Sequence, residues 1–195
     1  MLRVMAKPAP APDTAQRILD IAERLVQTRG FNGFSYADIA EALHVTKASL
    51  HYHFPSKADL GRQLIERYEA TFLAALRAIE AGSTEPREQL KRYAKIYADV
   101  LRDGRMCLCG MLASDYATLP KAMKEEVRHF FDVNEQWLVA VLERGRKAGS
   151  LGFKGPALDL ARVLVGSLEG AMMLARSYGD ASRFDTAAER LIASL

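Results

Sequence analysis

The chain has 195 residues, 49% hydrophobic and 26% charged, with 13 glycines and 7 prolines. These proportions exclude collagen-like, low-complexity and wholly disordered chains. The length suffices for one large domain, or two small ones sharing a core, without covalent staples. The formal net charge is only +3, so what charge says about partners lies in its local distribution.

Cys107 and Cys109 stand one residue apart, where a mutual disulfide would be strained and would close almost no loop. That argues against a disulfide-framed secreted protein. The most apolar stretch, Ala157 to Ala175, is interrupted by Asp159, Arg162 and Glu169, whereas a membrane span needs about 20 mostly apolar residues. The opening MLRVMAKPAPAP has no hydrophobic run leading to a small-residue cleavage site, so it does not read as a signal peptide. The expected compartment is the cytoplasm, with no membrane partner.

Residues 1–13 alternate proline with small residues, a composition that favours an extended arm. Beyond them nearly everything reads as helix. Ile18, Ile21, Ala22, Leu25 and Val26 recur on one helical face that Gly30 ends. A second helix follows Ser35, and a very short third follows Thr46 and stops by Pro55; both caps are good N-cap residues. Ser56 caps a fourth, running through Leu60, Leu64, Ile65, Tyr68, Phe72 and Leu76 to Gly82. Five more candidates follow: Pro86 to about Arg102, a shorter one within RMCLCGMLASDYATL, a long one from Pro120 to Ala148, Ala157–Tyr178 and Phe184–Leu195. In the long helix Val127, Phe130, Phe131, Leu138, Val141 and Leu142 should face inward. No alternating run of β-branched residues reads as a strand. The expected fold is all-α, with about nine helices in two parts: residues 14–60 and residues 61–195.

A helix followed by two short helices around a tight turn is the layout of a helix-turn-helix, whose last helix enters the major groove. The turn here is Leu43-His44-Val45-Thr46, with Leu43, Val45, Leu50 and Phe54 available to pack inward. Between Glu41 and Asp59 there is no acid, while Lys47, Lys57 and three of the four histidines fall in that interval. An acid-free, donor-rich helix suits a polyanion. Residues 1–60 as a whole carry seven basic and six acidic residues, so charge alone is equally consistent with a solvated helical hairpin.

The segment FSYADIAEALHVTKASLHYHFPSKADL resembles the signature of the TetR family of one-component transcriptional regulators. The likeness is close over about residues 14–61 and continues beyond them in layout only. It implies a homodimer that binds operator DNA, usually a palindrome, and releases it when a small molecule enters the C-terminal part. Carried over by position, Ser35 and Tyr36 would meet phosphates, Thr46, Lys47, Ala48 and Ser49 would lie on the recognition helix, Tyr52 and His53 would follow at its end, and Lys57 would serve the phosphate side. His51 stands where the family usually has tyrosine, so its phosphate contact would depend on pH.

In the C-terminal part, polar or aromatic residues that interrupt apolar faces are candidates for an effector pocket: Tyr93 and Tyr97, four apart; Met106, Met111 and Tyr116 around the cysteines; and Phe130, Asn134 and Trp137. Each could equally be an ordinary core residue. The cysteines leave three readings open: buried structural thiols, a sensor whose thiolate is stabilised by Arg102 and Arg105, or a metal site, for which one Cys-x-Cys supplies too few ligands. Cys107-Leu108-Cys109-Gly110-Met111-Leu112 also resembles a TetR subgroup carrying Cys-Leu-x-Gly-x-Leu, some of whose members respond to electrophiles; the match falls on Cys107. Glu169, inside an apolar helix, must be paired (Arg162 or Arg176 lie seven residues away), exposed, or part of a pocket, because an unpaired buried carboxylate is costly.

Gly166 and Gly170, with Ser167 and Ala171 beside them, form a face that another helix could approach closely; the last two long helices are the expected dimer surface, tight packing within one subunit being the alternative. No phosphate loop, nucleophile elbow or convincing base for the cysteines is present, so an enzyme is not expected, and no cofactor or metal either. A thiol-dependent enzyme and a helical interaction protein without DNA binding are the rival readings.

Overall fold

The protein is described by a computed structural model, which covers residues 14–195; the expected arm over residues 1–13 lies outside the described residues. Nine α-helices and one 3-10 turn account for the regular structure, with no strand among the described residues. Helix α1 (Thr14–Arg29) turns at Gly30 into α2 (Tyr36–Leu43), and α3 (Lys47–His53) follows. Gly30 adopts φ +80°, a conformation open to glycine because it lacks a Cβ.

Ser35 and Asp38 form a reciprocal capping box at the start of α2, and the Thr46 hydroxyl accepts the Ser49 N–H at the start of α3. Such caps hold otherwise unpaired amides and are worth about 1 kcal/mol each. His44 closes α2 in the left-handed region at φ 54°, its N–H returning to Ala40 and Glu41. It thereby serves the turn, a position that histidine tolerates better than a β-branched residue. Leu43, Leu50 and Phe54 are buried together with Ile18, Ala22 and Ile39, which fixes the angle between α2 and α3.

Helix α4 (Lys57–Gly82) is opened by a second capping box, Ser56 with Asp59, and runs about 39 Å. It packs on α1, on α7 (Lys121–Ala148) and on α5 (Pro86–Arg102). The boundary expected near residue 60 therefore falls inside one continuous helix. Proline at the first position of α5 suits an N–H that needs no partner. Helix α6 (Leu108–Ser114) is short and leads through the turn Tyr116–Thr118 into α7, while α8 (Ala157–Tyr178) packs on α7, α5 and α9 (Ser182–Ala193), and α9 also packs on α5.

Helix α9 begins at Ser182, two residues ahead of the Phe184 expected from sequence, with no side-chain cap. Within α7, Phe130, Leu138, Val141 and Leu142 are buried as the pattern requires, but Phe131 is only half-buried. No described helix is long and apolar enough to cross a membrane.

Candidate DNA-reading surface and effector crevice

Helix α3 presents its polar residues outward. Lys47, Ala48, His51 and Tyr52 are exposed, Ser49 and His53 are half-buried, and only Leu50 is fully buried. Tyr52 is 84% exposed, an unusual position for a large aromatic ring, and it meets the His53 ring edge-on at 5.2 Å. The His51 Nδ1 lies 3.1 Å from the Pro55 carbonyl, which can only accept. The Nε2 of His51 is thereby left to the surface.

Two residues expected at phosphates, Tyr36 and Lys57, make hydrogen bonds within the protein. The Tyr36 hydroxyl donates to the Phe54 carbonyl at 2.8 Å, and burial, with Asp59 nearby, raises its pKa to about 12. Tyr36 thus ties α2 to the end of α3. The Lys57 ammonium donates to the carbonyls of Phe31 and Phe34, each at 2.5 Å, over both of their rings. Partial burial lowers its pKa against the opposing pull of Asp115 and Asp38. Lys57 likewise joins the start of α4 to the Phe31–Phe34 loop. Ser35 is held in its capping box, its hydroxyl donating to Asp38.

The C-terminal residues separate into two groups. Tyr93, Tyr97, Cys107, Phe130, Asn134, Trp137 and Glu169 belong to one cluster. The Tyr93 hydroxyl is 3.0 Å from that of Tyr97 and donates to Asn134 Oδ1 at 2.9 Å. Trp137 stacks on Tyr93 at 5.5 Å. Beside them runs a narrow crevice with no room for a water molecule, lined by Tyr68, Phe72, Ile96, Tyr97, Val100, Cys107 and Met172. Asn134 Nδ2, Trp137 Nε1 and Glu169 Oε1 are buried with no hydrogen-bond partner. Such groups are costly unless something supplies the missing bond.

Met106, Met111 and Tyr116 lie elsewhere, around the junction with α1 and α7. The Met106 N–H donates to the Gln27 carbonyl, Met111 Sδ accepts from Arg176, and Tyr116 lies beneath the cations of Lys124 and Arg128. Sequence reasoning missed the α4 wall of the crevice, because Tyr68 and Phe72 fall on the same apolar stripe as the core residues of that helix.

The arginines do not activate the thiols. Arg102 pairs with Asp185 at 2.8 Å, and Arg105 with Asp103 and the Gln27 side chain. Burial and then the charge of Glu169 push the Cys107 thiol well up, and burial does the same to Cys109. The Cys107 sulfur accepts from the Tyr68 hydroxyl at 3.7 Å and from the Gly110 N–H at 3.4 Å, so it also caps α6. Nor does either arginine pair with Glu169: Arg162 faces Glu135 and Asp159, and Arg176 donates to the carbonyls of Gln27 and Thr28. Glu169 instead lies against Gly110, where a Cβ would collide with its carboxylate. Burial raises its pKa to about 7.

The crevice and the DNA-reading part meet through α6. Beyond its C-terminal end, Asp115 accepts the Phe31 N–H at 2.7 Å and Thr118 accepts the Asn32 amide at 2.8 Å. A Cβ on Gly30 would approach Asp115 Oδ2 to 2.8 Å. Arg67 on α4 adds a second tie, to Asp20 and Glu23 of α1, at 2.6 Å each.

Residues 18–64 match the family model for bacterial regulatory proteins of the tetR family, and residues 86–191 match the tetracyclin repressor-like C-terminal domain. The chain belongs to the TetR family. It is a DNA-binding transcriptional regulator, and the resemblance read from residues 14–61 extends through the C-terminal part, residues 86–191. A TetR-family transcriptional regulator from Agrobacterium tumefaciens is 36% identical, with a TM-score of 0.90 over 93% of this chain and 96% of that one. A TetR regulator from Legionella pneumophila is 33% identical, with a TM-score of 0.87 over 96% and 100%. The transcriptional repressor DhaR of a Mycobacterium species is 26% identical over 81% of this chain and 80% of its own.

Proposed function

We propose that this regulator is a cytoplasmic repressor that grips a palindromic operator as a homodimer and lets go when a small molecule enters the crevice beside Tyr97 and Cys107. Residues 14–60 read DNA, and residues 61–195 bind the effector and the second subunit. Thr46, Lys47, Ala48, Ser49, His51, Tyr52 and His53 form the reading surface. Ala48 and Ser49 are short enough for close approach to base edges, and Lys47 and Tyr52 reach outward. Ser35, at the start of α2, stands where a phosphate can be approached.

The observation that carries the effector reading is a crevice between α4, α5 and α8 that is too thin to hold water, next to a tyrosine cluster in which polar atoms of Asn134, Trp137 and Glu169 are buried without a partner. A ligand filling it must part Tyr68 and Phe72 on α4 from Tyr97 and Cys107. Both sides lead to α1: α4 through Arg67, and the Cys107 side through α6 and Asp115. Binding therefore favours an arrangement in which the two recognition helices no longer match successive major grooves.

The dimer surface is supported by an exposed apolar row on α8, comprising Val163, Met173, Leu174 and Tyr178. A Cβ built on Gly166 or Gly170 would meet nothing within 4 Å, so these glycines serve no close packing within the subunit. Exposed Ala187 on α9 lies on the neighbouring helix.

The test is fluorescence anisotropy on the promoter fragment upstream of the gene, with Val100→Trp to fill the crevice. Weakened operator binding in a folded Val100→Trp protein, with no ligand added, is the expected result. Wild-type affinity in that variant would remove the crevice from the mechanism.

A further inference from the structure

A larger cavity lies on the flank of the C-terminal part, between α5 and α9. It is an open groove of about 710 Å³, a size usual for small-molecule sites, which run to about 300–1,000 Å³. The two helices are tied at both ends. Arg102, at the end of α5, pairs with Asp185 at the start of α9 at 2.8 Å, and Arg87, at the start of α5, donates to the Ile192 carbonyl near the end of α9 at 2.8 Å. Between these ties the floor is apolar: Ala94 and Ala98 from α5, and Phe184, Ala188 and Ile192 from α9. The three alanines carry too little side chain to close the gap between the helices, and a slot is left.

The rim of the slot is charged, and unevenly so. Lys95 pairs with Asp99, and Arg102 with Asp99 and Asp185. Arg87 has no acidic partner among the described residues. Its guanidinium is held instead by the carbonyls of Ile192 and Ser150, which fix it in place, leave its charge uncompensated and leave N–H donors to spare. Lys91, one turn further along the same face, is exposed and makes no ion pair among the described residues. Against these two cations stands a single unpaired acid of the rim, Glu189 on α9, also exposed.

We propose that this groove binds an unbranched alkyl carboxylate, with its head at Arg87 and Lys91 and its chain along Ala94, Ala98 and Ala188 towards Phe184. A fixed guanidinium beside a free ammonium suits a carboxylate, which can accept from both. An ammonium head would meet two like charges there, and a neutral head would leave both cations without an anion. The Arg102–Asp185 pair closes the far end about 16 Å along α5 from Lys91, which limits the chain to medium length. Asp185 and Glu189 each lie two residues from Ala187 and so about 160° around α9 from it. A second subunit docked on the Ala187 side therefore leaves the groove open. The groove and the crevice beside Cys107 share no residue, so this site does not depend on the effector reading.

The test compares three heads on one chain. Octanoate, 1-octanol and octylammonium are titrated calorimetrically into the full-length protein at pH 7.5 and low salt. Octanoate should bind at least about fivefold more tightly than the other two. Hexanoate should bind at least about fourfold more weakly than octanoate, since each methylene fully withdrawn from water is worth about fourfold. Lys91→Glu, at an exposed position, should weaken octanoate about fivefold or more and leave 1-octanol unchanged. Glu189→Gln, equally exposed, should tighten octanoate by removing the one opposing charge. Ala98→Leu fills the slot and should weaken octanoate and 1-octanol alike; if that variant fails to fold, the two rim variants still decide. Val100→Trp, which fills the crevice, should keep wild-type affinity for octanoate.

No binding of octanoate, equal or tighter binding of octylammonium or 1-octanol, or octanoate affinity unmoved by Lys91→Glu would overturn the proposal. Affinity lost in Val100→Trp and kept in Lys91→Glu would place the ligand in the crevice and overturn it equally.

Discussion

Replacing Glu169 with glutamine should flatten the pH dependence of folding stability. Burial raises this carboxyl from 4.5 to about 7 in the folded protein. Below the unfolded value both states hold the proton, and the native state pays no penalty. As pH rises the unfolded chain releases its proton first, so stability falls until the native carboxyl has also ionised, somewhat above pH 7. A shift of that size corresponds to about 3 kcal/mol, or about 6–12 °C in Tm for a protein of this length. Glutamine never ionises, and whatever its buried amide costs is the same at pH 5 and pH 8.5. Thermal unfolding of both proteins at these two pH values, at fixed ionic strength and protein concentration, reads the effect as a difference of differences. The wild-type protein should lose about 3 kcal/mol more than Glu169→Gln between the two. Equal losses would show that Glu169 is solvated or paired in solution, and would remove the basis for a buried, uncompensated carboxylate.

Other expectations follow from the ties to the DNA-reading part. Lys57→Met should lower stability by about 1–3 kcal/mol by leaving two carbonyls short of a donor, yet leave the salt dependence of operator binding unchanged; a slope reduced by about 1 with unaltered stability would instead place Lys57 on a phosphate. Asp115→Ala should speed hydrogen exchange at the Phe31 and Asn32 amides without affecting residues around Asn134, and unchanged exchange at Phe31 would break the proposed α6 link. Leu174→Glu on the exposed row of α8 should shift sedimentation towards the monomer; an unaltered dimer would move the interface elsewhere.

The helices were legible because their ends are written locally. Ser35, Thr46 and Ser56 hold amides within three residues of themselves, and Pro86 and Gly30 act through their own backbone geometry. The exposed face of α3 was legible for the same reason, since Leu50 alone turns inward. What escaped are contacts between residues distant in sequence. Nothing near Lys57 announces that its ammonium reaches Phe31 and Phe34, and nothing near Tyr36 announces Phe54. Asp115 reads as an ordinary helix-end acid until the fold brings Phe31 to it, 84 residues away. The crevice was half visible: Tyr97 and Cys107 stood out as polar or reactive groups on apolar faces, whereas Tyr68 and Phe72 look like any core residues. Glu169 was recognisable as a problem, and only the fold shows that neither arginine solves it.

The most direct measurement is the affinity of the purified protein for its upstream promoter fragment and for random DNA, followed across salt concentration, for the wild type and for Lys47→Ala and Tyr52→Ala. Exposed α3 residues reading DNA from two subunits predict a clear preference for the promoter and affinity that falls steeply with salt. The Lys47 variant should bind more weakly with a slope smaller by about 1–2 for two copies per dimer, and the Tyr52 variant should bind more weakly at an unchanged slope. Wild-type affinity in both variants, or no preference for the promoter over random DNA at low salt, would contradict the assignment of α3 as the reading element.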